Sequence, residues 1–173
     1  MKKVTTIIAL VGCSAVAAAQ PSSFLDLGVI GNEGSYTFDS QGSNLEFTGE
    51  RIDTELGLWD STGLLLASNN NISSSNTWSR VTESLTAGVY FIGVSEFNSV
   101  FEDNFINTGS AFEPGDIGSV WLNINGMFAN SIFSGDFSLL DQETGFFKVT
   151  VIPAPSAMAL LGLGGIAVGR RRR

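Results

Sequence analysis

From residue 20 to residue 151 no stretch of this chain carries the roughly 3.6-residue period of an amphipathic helix; short alternating runs separated by turn residues fill it. Ser35-Tyr36-Thr37-Phe38 and Leu45-Glu46-Phe47-Thr48 alternate polar with apolar. Glu55-Leu56-Gly57-Leu58-Trp59 puts Leu56 and Leu58 on one face of a strand and Trp59 on the other. Asp60-Ser61-Thr62-Gly63 is turn chemistry, with Asp opening the turn and Gly accepting a positive φ. Leu64-Leu65-Leu66-Ala67 returns as a short buried strand, so residues 56–67 are predicted to form a hairpin.

Further along, the polar loop 69–76 leads to Ser79-Arg80-Val81-Thr82, and Thr86-Ala87-Gly88 turns into a β-branched and aromatic run. There Tyr90, Ile92 and Val94 are expected to share a face. Residues 98–116 read as a long irregular loop. Val120-Trp121-Leu122-Asn123-Ile124 and Phe147-Lys148-Val149-Thr150-Val151 are strands, with two to three weaker ones between 127 and 140. Lys148, between Phe147 and Val149, is expected to face solvent. Seven to nine short strands in about 130 residues predict an all-β chain: a single β-sandwich or jelly-roll-like domain.

Charge narrows the function. Six of the nine Lys and Arg residues are Lys2, Lys3 and Arg170 to Arg173. The remainder of the chain sets Arg51, Arg80 and Lys148 against all 17 Asp and Glu, a net −14. That balance excludes an electrostatic binder of nucleic acid. The sequence has no His, which removes histidine triads and His-ligated metals.

The two ends read as addresses. Met1-Lys2-Lys3, an apolar run over 4–16 and the small-x-small site Ala17-Ala18-Ala19 form the three parts of a signal peptide, cut before Gln20 by signal peptidase. Leu10-Val11-Gly12-Cys13 also resembles a lipobox, in which Cys13 would carry lipid. Six apolar or small residues follow Cys13 where a polar tether belongs, which favours cleavage at Ala19. At the other end, Val151-Ile152-Pro153-Ala154-Pro155-Ser156 leads into an apolar stretch, 157–169, and then Arg170, Arg171, Arg172 and Arg173. Thirteen helical residues reach about 20 Å against a bilayer core of about 30 Å, so a transmembrane helix here is a short one, inserted transiently or persistently. Both basic ends demand the same orientation, with the chain before Pro153 outside. The expected organisation is a signal helix over 1–19, the β domain over 20–151 and a tail over 152–173.

This tail resembles the PEP-CTERM sorting signal, with Pro153-Ala154-Pro155 where the family name has Pro-Glu-Pro. The resemblance implies a bacterial protein exported to the cell envelope, cell surface or extracellular space and processed by an exosortase-type membrane enzyme. The organisms involved often make exopolysaccharide. The stretch 53–69, taken with Ser79-Arg80-Val81 and the run 85–94, resembles the pre-peptidase C-terminal type of bacterial domain. That likeness implies an accessory sandwich, some relatives of which bind calcium or polymeric ligands.

For chemistry, calcium is the one cofactor the residue types suit, through Asp53, Asp60, Asn69 and Asn71 if the hairpin ends meet. No Asp-x-Asp-x-Asp-Gly loop is present, and the same groups fit solvated loop charges. Relatives often have acidic residues where Asn70-Asn71 stands, which weighs against calcium there. Glu50 with Asp53, or Glu55 with Asp60, fit strand edges and turns better than a glycosidase centre. Trp59 and Trp121 offer flat faces to sugar rings if exposed, and ordinary packing if not. The sequence therefore predicts a non-enzymatic surface or matrix protein of structural or adhesive role, linked to exopolysaccharide. The alternative is a carbohydrate- or calcium-binding accessory module.

Overall fold

The computed structural model describes residues 20–45, 49–97, 99–109, 118–126, 129–139 and 144–155. Twelve strands lie among them: β1 (Leu25–Asn32), β2 (Gly34–Asp39), β3 (Asn44–Leu45), β4 (Thr54–Asp60), β5 (Leu65–Asn69), β6 (Arg80–Leu85), β7 (Gly88–Glu96), β8 (Ser99–Glu102), β9 (Ile106–Gly109), β10 (Gly118–Gly126), β11 (Ala129–Leu139) and β12 (Gly145–Ile152). One sheet runs β1-β12-β7-β4-β5 and a second β11-β10-β2-β6, with β3 beside β10; β8 and β9 form a separate hairpin. All pairings are antiparallel except β1 with β12.

The alternation read from the sequence builds the main core. Leu56 and Leu58 of β4, Tyr90, Ile92 and Val94 of β7, and Phe147, Val149 and Val151 of β12 point to one side. They pack in one cluster with Tyr36 and Phe38 of β2, Val81 and Leu85 of β6, and Val120, Leu122 and Ile124 of β10 from the second sheet. Two sheets sharing one apolar interior make a β-sandwich. The hairpin predicted over 56–67 is β4 paired with β5, but its second strand is not the buried one expected: Leu64 and Leu66 are exposed. Its turn has Gly63 at φ 89°, and Asp60 Oδ1 accepts the N–H groups of Thr62 and Leu64 and the Thr62 hydroxyl.

Several expectations need correction. The strands number twelve among the described residues, above the seven to nine expected. Between 127 and 140 the described residues form one long strand, β11, paired with β10 with a single register shift at Asn125/Gly126, and not two or three weak ones. The segment read as an irregular loop contains the β8–β9 hairpin; residues 98 and 110–117 lie outside the described residues. β1 was not foreseen, because Gly28 and Gly31 break its pattern and its partner lies 122 residues on, where Lys148 sits opposite Asp26. Lys148 does not simply face water: its Nζ is 2.7 Å from Asp26 Oδ2 and 5.5 Å from the Phe24 ring centre. The run Leu45-Glu46-Phe47-Thr48 shows only the end of β3; residues 46–48 lie outside the described residues.

A second core was not visible in the sequence. Trp59 and Phe91 point away from the sandwich interior yet are fully buried, because the β8–β9 hairpin folds over them with Phe101 and Phe105. Trp59 meets Phe101 edge-on at 5.1 Å and donates its indole N–H to Glu102 O at 2.8 Å. Space for this stack comes from Gly57 and Gly93, which face each other across β4 and β7. A Cβ on Gly93 would stand 2.9 Å from the Trp59 ring, and one on Gly57 would collide with Trp59 and Phe101. The first sheet is thus covered on both faces at Trp59 and Phe91 of β4 and β7.

The signal helix over 1–19, with Cys13, Ala17 and Ala19, lies outside the described residues, as do Ser156, the apolar stretch 157–169 and Arg170, Arg171, Arg172 and Arg173. Among the described residues no helix is long and apolar enough to cross a membrane.

Candidate functional site

In the second sheet β2, β6 and β10 turn apolar side chains inward and a mostly polar set outward. While Phe38, Val81 and Ile124 point inward, their neighbours Asp39, Arg80 and Asn123 line up side by side across β6, β2 and β10. Asp39 Oδ1 accepts the Asn123 side-chain amide at 3.0 Å and the Gln41 backbone N–H at 3.1 Å. Asp39 Oδ2 stands 3.5 Å from Arg80 Nη2, and the Asp39 side chain is only 6% exposed. The Asn123 amide also donates to Gln41 O at 2.7 Å, which ties the loop after β2 to β10. An adjacent pairing, Thr82–Thr37–Asn125, extends the polar surface.

This row, with Asn125 and with Gln41, Gly42 and Trp78, bounds an open cleft of about 520 Å³. Trp78 is held from two directions. Its indole N–H donates to Ser43 O at 3.0 Å, and the Arg51 guanidinium sits 4.3 Å from the ring centre. Gly42 lies against Trp121, whose Cγ would be 3.7 Å from a Cβ there. Beneath the cleft a buried hydroxyl knot fixes the strand ends. Ser40 Oγ and Thr54 Oγ1 are 2.6 Å apart, and the Ser79 N–H donates to both. The Ser79 hydroxyl in turn faces the carbonyls of Thr54 and Asn70. Since Ser40 adjoins Asp39 and Ser79 adjoins both Trp78 and Arg80, the knot sets the positions of the cleft side chains.

Of the four residues suggested for calcium, Asp60 is set apart from Asp53, Asn69 and Asn71. Asp60 occupies the turn at one end of β4, its Oδ1 committed to the turn, while Asp53 precedes the other end, about 23 Å away along a strand of this length. Asn69 Oδ1 accepts the Arg80 backbone N–H. Asp53 Oδ1 and Asn71 Oδ1 are buried without a hydrogen-bond partner. Among the described residues no group of three or more His, Cys, Asp and Glu side chains is placed to hold a metal ion. Trp59, weighed as a sugar platform, is buried under the hairpin; Trp121 is half-buried beside Gly42.

Asp53 and Glu55 carry a pH prediction. Burial raises the pKa of both, and for Glu55 the charge of Asp53 adds to the rise. A carboxyl whose folded pKa is raised binds its proton more tightly in the native state, so it costs stability once pH rises through the unfolded and then the folded value. Glu55→Gln is therefore expected to raise the thermal midpoint at neutral pH, with the gain fading as pH falls below the carboxylate range. Melting curves of both proteins between pH 3 and pH 8 check this, and a gain independent of pH would contradict it.

At the C-terminal end of the domain, β12 runs between β1 and β7, with Val151 opposite both Gly31 and Gly88. Glu33 N–H donates to Ile152 O at 3.0 Å, the last bond of the strand. Pro153 has no N–H to extend the ladder, so the strand stops there and Pro153, Ala154 and Pro155 leave the domain with no spacer. The expected boundary after residue 151 thus falls one residue inside β12. Residues 151–173 match the family model described as the PEP-CTERM protein-sorting motif. The tail is a PEP-CTERM motif. It marks a secreted protein sorted through its C terminus, associated with the cell envelope and processed by exosortase, a membrane enzyme. The PEP-CTERM match does not reach the central region, and the pre-peptidase C-terminal resemblance there is not confirmed by it. No curated protein and no solved structure matches the chain.

The cleft residues Asp39, Gln41, Trp78, Arg80, Asn123 and Asn125 were not singled out from the sequence. A signal did exist: Trp121-Leu122-Asn123-Ile124-Asn125 alternates so that Trp121, Asn123 and Asn125 share the outer face.

Proposed function

We propose that this chain is an exported, non-enzymatic protein of the cell surface or extracellular matrix, with a structural or adhesive role linked to exopolysaccharide. The observation that carries the reading is the direct run from β12 into Pro153-Ala154-Pro155 at the head of a PEP-CTERM motif. A packed β-sandwich attached to such a tail is cargo with a handle. The absence of His from the sequence and the net −14 outside the two ends support a solvated, non-catalytic surface. Signal peptidase cleaves at Ala19 and exosortase acts at the Pro-x-Pro segment. The second reading, a carbohydrate-binding accessory module, is favoured by the polar cleft beside Trp78. Calcium binding by the full set Asp53, Asp60, Asn69 and Asn71 gains no such support, since Asp60 sits at the opposite end of β4 from Asp53.

The test is the identity of the two ends of the protein recovered from its own host. Replacing both Pro153 and Pro155 by alanine is expected to leave the tail uncut in most of the protein, read as retained C-terminal peptide, while the melting curve stays close to wild type.

A further inference from the structure

We infer that the cleft bounded by Asp39, Trp78, Arg80, Asn123 and Asn125 is the site at which this protein binds a neutral polysaccharide chain. The inference rests on the surface or matrix reading above and gives it a ligand class and an address.

Three features of the cleft select that ligand. First, the lining is planar and polar. A carboxylate, three carboxamides and a guanidinium bound it, and of these the exposed Gln41 and Asn125 amides and the Arg80 guanidinium are placed to make hydrogen bonds to hydroxyls. The Asp39 carboxylate, only 6% exposed, and the Asn123 amide N–H groups are spent on each other, on Gln41 and on Arg80, so they hold the wall of the cleft in place before any ligand arrives. Second, one aromatic ring borders these groups. The Trp78 indole is pinned by its bond to Ser43 O and by Arg51, which is not among the residues bounding the cleft. A held, flat, apolar face next to a polar row matches a pyranose, which has a C–H face and a rim of hydroxyls. Third, the cleft is open and about 520 Å³ in volume, within the range of ligand sites of about 300–1,000 Å³. An open cleft accepts a unit inside a longer chain as well as a free sugar.

Charge decides between neutral and acidic glycans. Within the cleft Arg80 is matched by Asp39, which leaves no surplus cation for a uronate or a sulfate. Outside its two ends the chain carries a net −14, which repels any polyanion, nucleotides included. A peptide ligand would ask for apolar pockets, and Trp78 is the single large apolar group bounding the cleft among the described residues.

The experiment is native affinity electrophoresis of the exported protein through gels holding a soluble β-glucan, a mannan, a galactan or a polyuronate, with tryptophan fluorescence titration of any polymer that retards it. At least one neutral polymer is expected to slow migration, and the polyuronate is not. Trp78→Ala is expected to weaken that binding by about tenfold or more, and Asn125→Ala, at an exposed position, by about threefold to tenfold. Because Trp78→Ala also removes a bond to the backbone, Asn125→Ala with an unchanged melting curve carries the decision. Failure of every neutral polymer overturns the inference, as does equal retention by the polyuronate or wild-type binding in Asn125→Ala. If no glycan binds while the protein is still recovered outside the cell with a processed tail, the sorting reading stands and the cleft assignment falls alone. If the protein stays in the cytosol with both ends intact, the two fall together.

Discussion

Replacing Trp59 by alanine is expected to lower the free energy of unfolding by about 3–5 kcal/mol, a large part of the ~5–15 kcal/mol that a domain possesses. Trp59 is fully buried and touches Phe101, Phe105 and Phe146, with ring centres 5.1, 6.0 and 5.7 Å away. Its loss opens a cavity that Gly57 and Gly93 have no side chains to fill. It also strips the partner from Glu102 O, the bond that pins the β8–β9 hairpin to the first sheet. Phe105 depends on the same contact, since it holds a positive φ of 62° that an aromatic residue adopts only where packing fixes it. Damage should therefore be local first. Urea denaturation gives the total loss, and amide exchange is expected to quicken most within residues 99–109. A uniform loss with the hairpin still protected would contradict the view that Trp59 is its anchor.

The second large effect lies beneath the cleft. Ser79→Ala is expected to cost about 1–3 kcal/mol, because the single hydroxyl proton shared between the carbonyls of Thr54 and Asn70 is lost in a buried place. Ser40, Thr54 and Ser79 are all fully buried, so water cannot take over without opening the strand ends. The three act as one network: Ser79 N–H is shared between Ser40 Oγ at 2.8 Å and Thr54 Oγ1 at 3.1 Å. Thr54→Val combined with Ser79→Ala is thus expected to cost less than the sum of the two, with a coupling of about 0.5–3 kcal/mol. Strict additivity in a double-mutant cycle would show that the hydroxyls are independent.

What could be read from the sequence was whatever is encoded locally. The β4–β5 hairpin was legible because Asp60 and Gly63 name their turn and Leu56 and Leu58 name their face. Tyr90, Ile92 and Val94 were legible for the same reason. The tail was legible because its parts are contiguous. Alternation assigns a side chain to a face but does not say what covers that face, so Trp59 could be placed opposite Leu58 without any sign of the hairpin over it. The pairing of β1 with β12 is parallel and joins the two ends of the domain, and no local pattern announces it. The cleft was hidden by the same limit. Asp39, Arg80 and Asn123 become neighbours only through the sheet order β10-β2-β6, which brings together residues up to 84 apart in sequence. Asp60 drops out of the suggested calcium set for the converse reason: Asp53 and Asp60 are close in sequence, but an extended strand holds them apart.

The measurement that bears most directly on the account is intact-mass and terminal-peptide mass spectrometry of the protein taken from its native cells, surface and medium analysed separately from cytosol. The expected species begins at Gln20, with Cys13 removed in the leader and no lipid at its N-terminus, and has lost Arg170 to Arg173 with the apolar stretch before them. A cytosolic protein still bearing Met1 and Arg173 would contradict it.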